Sequence, residues 1–193
     1  MLIKPQDSIQ QVLHDQATIE AAELAAEQQL RNALPDSASA LFSVAQGKES
    51  FVTLKNNLVE LQLSTKGGVV NKATLAEYTG KDGAPIVLFD GNEEMRMNFA
   101  FNGKNENIFT ENLYFQPLNV SDSTVTMRLN LGEGQCIDFN YFLPANLYLA
   151  NLAITAEGMQ NFFAPSTKTM DFNWYQKTRQ QEKGFSFEQQ FSS

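Results

Sequence analysis

Alternation of apolar and polar residues, which begins near residue 51, is the feature that most restricts the fold of this chain. Every second side chain in these runs is apolar, a period that suits a β-strand with one buried face and does not suit an α-helix. The clearest runs cover residues 59–63, 95–101, 125–131 and 137–143. The pattern predicts several short strands that each pack one face on a shared core.

Residues typical of tight turns separate these runs. They lie at 67–68, 81–83, 90–92, 102–103, 132–134 and 144–146. Short strands at this spacing favour an antiparallel sandwich, and nothing in the sequence resembles the strand–helix–strand units of a parallel sheet. We therefore expect a mostly-β domain over residues 51–193. Because the strand-like, aromatic pattern continues up to Ser193, we expect the sandwich to be incomplete at its C-terminal end.

The first 50 residues differ in composition and are interpreted as a helical and flexible tether. A helix is predicted from Asp7 or Ser8, both good N-cap residues, to a stop at Pro35. Its apolar stripe is thin, which is typical of a solvated spacer and not of a core element. Residues 36–50 are rich in Ser, Ala and Gly, which predicts a flexible linker.

The net charge of −8 and the sequence pI of about 4.7 restrict the partners. An acidic surface repels phosphate backbones, so nucleic acid is not expected as a partner. It also provides no general attraction to anionic lipid headgroups. The simplest interpretation of the charge is solubility.

Scarcity of histidine and cysteine excludes most catalytic and metal chemistry. The only histidine is His14, in the predicted spacer helix, and the only cysteine is Cys136, in a strand-like run. Ser-His-Asp and Cys-His catalysis and Cys/His zinc sites are thereby disfavoured. We expect no catalytic residue, no cofactor and no metal site, and we expect Cys136 to be a small, partly buried residue.

Carboxylate chemistry, as in glycoside hydrolysis, is the remaining catalytic possibility. Its candidate residues are Glu60, Glu77, Glu111, Glu133 and Asp138. Glu60 and Asp138 occupy polar positions of alternating strands, so a solvated face is the preferred interpretation for both. The acidic segment 90–94 lacks the spacing of an EF-hand loop and is predicted to be a charged hairpin turn.

Lys66-Gly67-Gly68 does not have the spacing of a phosphate-binding loop and is predicted to be a tight turn that requires positive φ. With the strands around it, this turn resembles the start of the large periplasmic domain of YidC-type membrane protein insertases. That family has a strand, then Thr-Arg/Lys-Gly-Gly, then a strand that ends near Leu-x-x-Tyr. The matching residues are Thr65, Lys66, Gly67, Gly68, Leu75 and Tyr78. The resemblance is clear over residues 51–90 and looser beyond.

The resemblance implies a β-super-sandwich similar to galactose mutarotase, in an accessory, non-catalytic domain on the periplasmic side of the bacterial inner membrane. It implies that the membrane anchor before residue 1 and the insertase core are missing from this sequence. The partners implied for the intact protein are nascent membrane proteins and the Sec translocon. The helix-prone tether and short loops differ from proteobacterial relatives and indicate a distant branch.

Two other functions were weighed against the insertase domain. A carbohydrate- or peptide-binding sandwich would place Tyr114, Trp174 and Tyr175 along a groove, although core packing is the preferred role of each. A mutarotase-like sugar epimerase follows only from fold analogy. Aldose mutarotases use histidines, and none lies between Phe51 and Ser193, which disfavours the epimerase.

Overall fold

The computed structural model of the chain describes residues 41–179 except 81, 92–93, 105–106, 133, 164–168 and 178. The predicted spacer helix, His14 and Glu133 lie outside the described residues. The elements are α1 (Phe42–Ala45), β1 (Phe51–Lys55), β2 (Val59–Ser64), β3 (Val70–Thr79), β4 (Pro85–Asp90), β5 (Met95–Phe101), β6 (Ile108–Phe109), β7 (Gln116–Leu118), β8 (Thr124–Gly132), β9 (Gln135–Phe142), β10 (Asn151–Glu157) and β11 (Asp171–Gln176), with 3₁₀ helices at Thr110–Asn112 and Met159–Asn161. Within the described part, no helix is long and apolar enough to cross a membrane.

The strands form three antiparallel sheets. The first has the order β1-β2-β3-β4, the second β10-β9-β8-β7 and the third β11-β5-β6. Every strand pair is antiparallel, and most neighbours in a sheet are also neighbours in sequence, as expected for strands joined by short turns. The predicted mostly-β, antiparallel sandwich class is confirmed.

Burial follows the alternation in the sequence. In β8, the apolar positions Val125, Met127 and Leu129 are buried, and the intervening Thr126 and Arg128 are half-buried. β2 buries its three apolar residues in the same way. A period of two puts alternate side chains on one face, so each strand contributes a row of apolar side chains to the core.

Phe139 of β9 lies at the centre of the core and is fully buried. Its ring packs edge-on against Phe99 of the third sheet, with centroids 4.9 Å apart, and lies 4.9 Å from Phe115. The contact between Phe139 and Phe99 joins the second sheet to the third. Aromatic pairs at this distance contribute about 0.5–1.5 kcal/mol beyond the burial of their area.

The predicted flexible linker is wrong over its described residues, 41–50. Leu41 is only 4 % exposed and belongs to the core, against which Val44 and Ala45 of α1 also pack. The backbone is fixed too, because Tyr114 N donates a hydrogen bond to Val44 O and Thr65 N donates one to Ser50 O. A single buried leucine and backbone pairing hold this segment, and neither produces a periodic pattern.

The predicted hairpin at residues 90–94 is also wrong. β4 pairs with β3, and β5 pairs with β6 and β11, so this segment carries the chain from the first sheet to the third. Its charges are used locally: Asp90 accepts a hydrogen bond from Lys72 at 2.6 Å, and Glu94 accepts one from Arg179 at 2.6 Å. The hydrogen bond from Arg179 lowers the pKa of Glu94.

Strands β10 and β11 expose residues on both faces. The core-facing side of β11 is identified by its pairing, which places Phe172 beside Phe99 and Trp174 beside Met97. Even so, Phe172 is 46 % and Trp174 58 % exposed, and Tyr175 on the other face is 52 % exposed. Core packing was therefore the wrong expectation for Trp174 and Tyr175, whereas Tyr114 is half-buried.

The exposure of Trp174 can be measured directly, because it is the only tryptophan of the chain. We expect red-shifted fluorescence and strong quenching by acrylamide in dilute solution of the 193-residue chain, since more than half of the side chain is in water. Titration over a hundredfold range of protein concentration is the control for self-association through the β11 edge. A blue-shifted, weakly quenched signal at the lowest concentration would contradict this placement of β11.

Candidate functional site

The segment Thr65–Gly68, called the glycine turn below, connects β2 to β3 and is deeply embedded. Thr65, Gly67 and Gly68 are buried and Lys66 is half-buried. Gly67 N donates to Leu113 O at 2.8 Å, and Phe115 N donates to Thr65 O at 2.8 Å. On the opposite side, Ser50 N donates to the Thr65 hydroxyl at 2.8 Å. The turn is thus held between two separate backbone segments.

Both glycines of the turn have positive φ, 78° at Gly67 and 68° at Gly68, as predicted. Gly68 has a second reason to lack a side chain, because a Cβ there would lie 2.9 Å from the Phe115 ring. Its carbonyl oxygen accepts a hydrogen bond of 2.9 Å from the Tyr141 hydroxyl of β9. Burial raises the pKa of Tyr141, so the hydroxyl stays protonated and remains a donor.

The other two residues of the predicted signature lie elsewhere. Leu75 is half-buried in β3 opposite Val59 of β2. Tyr78, nearer the end of β3, is exposed, and its ring centroid is 6.5 Å from that of Tyr148. The structure therefore brings together Thr65, Lys66, Gly67 and Gly68, while Leu75 and Tyr78 continue the strand that follows.

A polar cleft of about 210 Å³ opens beside the glycine turn. Its walls come from the turn, from β5, from the 3₁₀ helix Thr110–Asn112 and from the segment before β1. The charged and amide side chains that line it are Glu49, Lys66, Asn71, Arg96, Glu111 and Asn112. Sequence reasoning missed Glu49 and Arg96: the first lay in a presumed linker, and the second was one polar position of an alternating strand.

The carboxylate candidates are not assembled as a group. Glu60 and Glu77 are exposed on the first sheet, and Glu111 lies in the cleft. Asp138 was expected on a solvated face but is 7 % exposed, which is a correction. It accepts hydrogen bonds from Arg128 Nε at 2.8 Å and Nη2 at 2.6 Å. This bidentate pair raises the pKa of Arg128 and compensates the buried charge.

Among the described residues, no group of His, Cys, Asp and Glu side chains has the arrangement needed to hold a metal ion. Cys136 is buried and is a free cysteine, somewhat deeper than the partly buried position expected. The site therefore consists of a structural turn and a polar cleft, and the chain is an antiparallel β-sandwich domain with a cleft beside a tightly packed glycine turn.

Comparison with known proteins assigns the family. A family model described as the YidC periplasmic domain matches residues 51–193, and the chain belongs to this family. It is 50 % identical over 188 residues to the membrane protein insertase YidC of Phocaeicola vulgatus, covering 97 % of this chain and 30 % of that protein. It is 42 % identical over 183 residues to the Bacteroides fragilis insertase, covering 94 % and 29 %.

More distant relatives have the same description. The Porphyromonas gingivalis insertase is 33 % identical over 154 residues, covering 79 % of this chain and 24 % of that protein. The chain thus spans about 30 % of the length of the most similar of these relatives. No solved structure matches the chain. The resemblance to the insertase family drawn from the glycine turn is confirmed.

Replacing Gly68 by alanine tests the close approach at the turn. Adding a Cβ to a glycine with positive φ destabilises the fold by about 1–2 kcal/mol. The clash with the Phe115 ring adds roughly 1–3 kcal/mol of overpacking. Gly83→Ala is the matched control, because Gly83 also has positive φ and nothing lies within 4 Å of its added Cβ. In urea titrations we expect Gly68→Ala to lower the free energy of unfolding clearly more than Gly83→Ala does. Equal losses would contradict the contact.

Replacing Tyr141 by phenylalanine tests the hydrogen bond to Gly68. The buried carbonyl would lose its donor, which costs about 1–3 kcal/mol at pH 7. Because burial raises the pKa of Tyr141 above its unfolded value of about 10, this stabilisation is fully present below that pH and is lost as the pH rises through the folded-state pKa.

The free energies of unfolding of the wild type and Tyr141→Phe should therefore converge above pH about 10. Urea titrations from neutral to alkaline pH measure this. Tyr175→Phe removes an exposed hydroxyl and should remain close to the wild type at pH 7. A difference between wild type and Tyr141→Phe that stays constant with pH would argue against a buried Tyr141 hydroxyl.

Proposed function

We propose that residues 51–193 form an accessory domain of a membrane protein insertase, on the periplasmic side of the bacterial inner membrane. The observation that carries the proposal is the match of this whole segment to the YidC periplasmic domain family. Relatives that cover nearly all of this chain are named membrane protein insertases. The domain contributes binding or scaffolding to insertion, and other parts of the longer protein move the inserted segments into the bilayer.

A non-catalytic role agrees with the use of the glycine turn. The Thr65 carbonyl and hydroxyl, the Gly67 N–H and the Gly68 carbonyl all form hydrogen bonds within the sandwich. Asp138, one of the carboxylate candidates, is committed to Arg128. Buried polar groups that are fully paired specify and stabilise a fold, and they are not available to a substrate.

The partners that we propose for the intact protein are nascent membrane proteins and the Sec translocon. Residues 1–40 would serve as a tether between a membrane anchor and the sandwich. The acidic chain, with a net charge of −8, would be kept away from anionic headgroups, so that contact with the bilayer surface is weak.

Peptide binding is the second candidate and is supported by the polar cleft. The carbohydrate version of this hypothesis has less support. Trp174 and Tyr175 are exposed, but as consecutive residues of a strand they point to opposite faces and do not form one stacking platform. In addition, the guanidinium of Arg96 lies 5.5 Å from the Tyr175 ring centroid, where it covers that face.

Deletion of residues 51–193 from the full-length protein tests the accessory role. A short Gly/Ser linker should replace them, so that the flanking segments keep their connection. We expect most insertion activity to remain in a strain depleted of the wild-type protein, measured by protease protection of newly made membrane proteins. Immunoblotting controls for the amount of the deletion variant. Complete loss of insertion at a normal protein level would contradict an accessory role.

A further inference from the structure

Lys66 uses its backbone and not its side chain in the glycine turn. Its N–H donates to the Ser64 hydroxyl at 2.9 Å, and it forms an isolated strand bridge with Tyr114. Its ammonium group has no carboxylate within ion-pair distance among the residues that the structure describes. Lys66 therefore lines the cleft with an ammonium group that no described carboxylate neutralises.

Two other charges of the cleft are also uncompensated. Arg96 contacts the Tyr175 ring, and Glu111 is exposed on the 3₁₀ helix. Neither has an ion-pair partner in the described part of the chain. By contrast, the three ion pairs of the described residues each have a nitrogen–oxygen distance of 2.6 Å. Lys66, Arg96 and Glu111 thus line one cleft and form no ion pair among the described residues.

The lining also offers apolar and amide groups. Half-buried Met97 lines the cleft from β5, and Asn71 and Asn112 supply amides that both donate and accept hydrogen bonds. A ligand that suits this surface carries both signs of charge, backbone-like polar groups and a small apolar side chain. A phosphate backbone offers only negative charge, and Glu49 and Glu111 would repel it.

The size of the cleft limits what it can enclose. About 210 Å³ is below the roughly 300–1,000 Å³ of pockets that bury a drug-sized ligand. An open cleft of this size contacts a short stretch of a longer molecule. Extended polypeptide meets each requirement, because its backbone supplies donors and acceptors at regular intervals and its side chains supply the charges.

We propose that the polar cleft binds an extended peptide segment that carries an acidic and a basic residue on either side of small apolar residues. Lys66 and Arg96 receive the acidic side chain, and Glu111 receives the basic one, because Glu49 Oε1 already accepts a hydrogen bond from Ser64 Oγ at 2.5 Å. The choice of a peptide as ligand rests on the proposed function, in which the domain meets unfolded membrane proteins. The cleft would favour segments by their charge pattern.

Fluorescence anisotropy of labelled peptides with the 193-residue chain tests the proposal. The probe is a fluorescein-labelled Gly-Ser-Glu-Val-Leu-Val-Lys-Ser-Gly peptide, compared with a version that has Gln in place of Glu and Lys. We expect the charged probe to bind more tightly, and Lys66→Glu to weaken it about tenfold. Lys104→Glu is the matched control, since Lys104 is exposed and does not line the cleft; it should change affinity less than twofold.

A charge exchange separates recognition from damage to the fold. The Lys66→Glu variant should bind a peptide with Lys in place of its Glu more tightly than the wild type does, whereas a misfolded variant would weaken every peptide alike. Far-UV circular dichroism and the urea midpoint check that the fold is retained. Equal binding of charged and uncharged peptides, or no preference after the exchange, would overturn the proposal.

Competition identifies the kind of ligand. If free lysine and glutamate at millimolar concentration displace the probe, the cleft belongs to small zwitterions and the assignment to peptides is wrong. Because these measurements use the chain alone, they can fail while the deletion experiment still supports an accessory role. The deletion experiment can likewise fail while peptide binding stands.

Discussion

The close approach between the glycine turn and the second sheet is the contact on which the rest of the structure depends. Gly68 brings backbone to within van der Waals distance of Phe115 and presents its carbonyl to Tyr141. Phe115 in turn packs on Phe139, the central residue of the core. A side chain at Gly68 would separate all three, so the two sheets can pack at native density only with glycine there.

The same turn explains why one short segment both stabilises the fold and borders a cleft. Its backbone groups point inward to Leu113, Ser50 and Tyr141, and the cost of burying them is offset by these hydrogen bonds. A turn of this kind has little space for side chains on its inner side. The side chain of Lys66 is half-buried and lines the cleft together with Glu111 and Arg96.

The sequence predicted the sheet architecture because half-buried strands impose a period of two, and β2 and β8 follow it closely. Prediction from the sequence failed where the burial of a residue depends on a partner in an adjacent strand. Asp138 is buried because Arg128 on the adjacent strand pairs with it, and pairing of strands is not visible in a single run of residues. Residues 41–50 were missed because one buried leucine and backbone hydrogen bonds hold them, and neither produces a periodic pattern. The cleft unites four separate segments, so no local pattern could reveal it.

Two kinds of exposed surface follow from this fold, and they differ in what they can recognise. Several core-facing side chains of β10 and β11, Leu152 and Trp174 among them, are apolar and exposed. Hydrophobic contact is non-directional, so such a surface distinguishes poorly between apolar partners. Fixed charges discriminate better, because a mismatched partner leaves them desolvated and unpaired. Selectivity in this domain should therefore come from the cleft, while the apolar strands contribute affinity but discriminate little between partners.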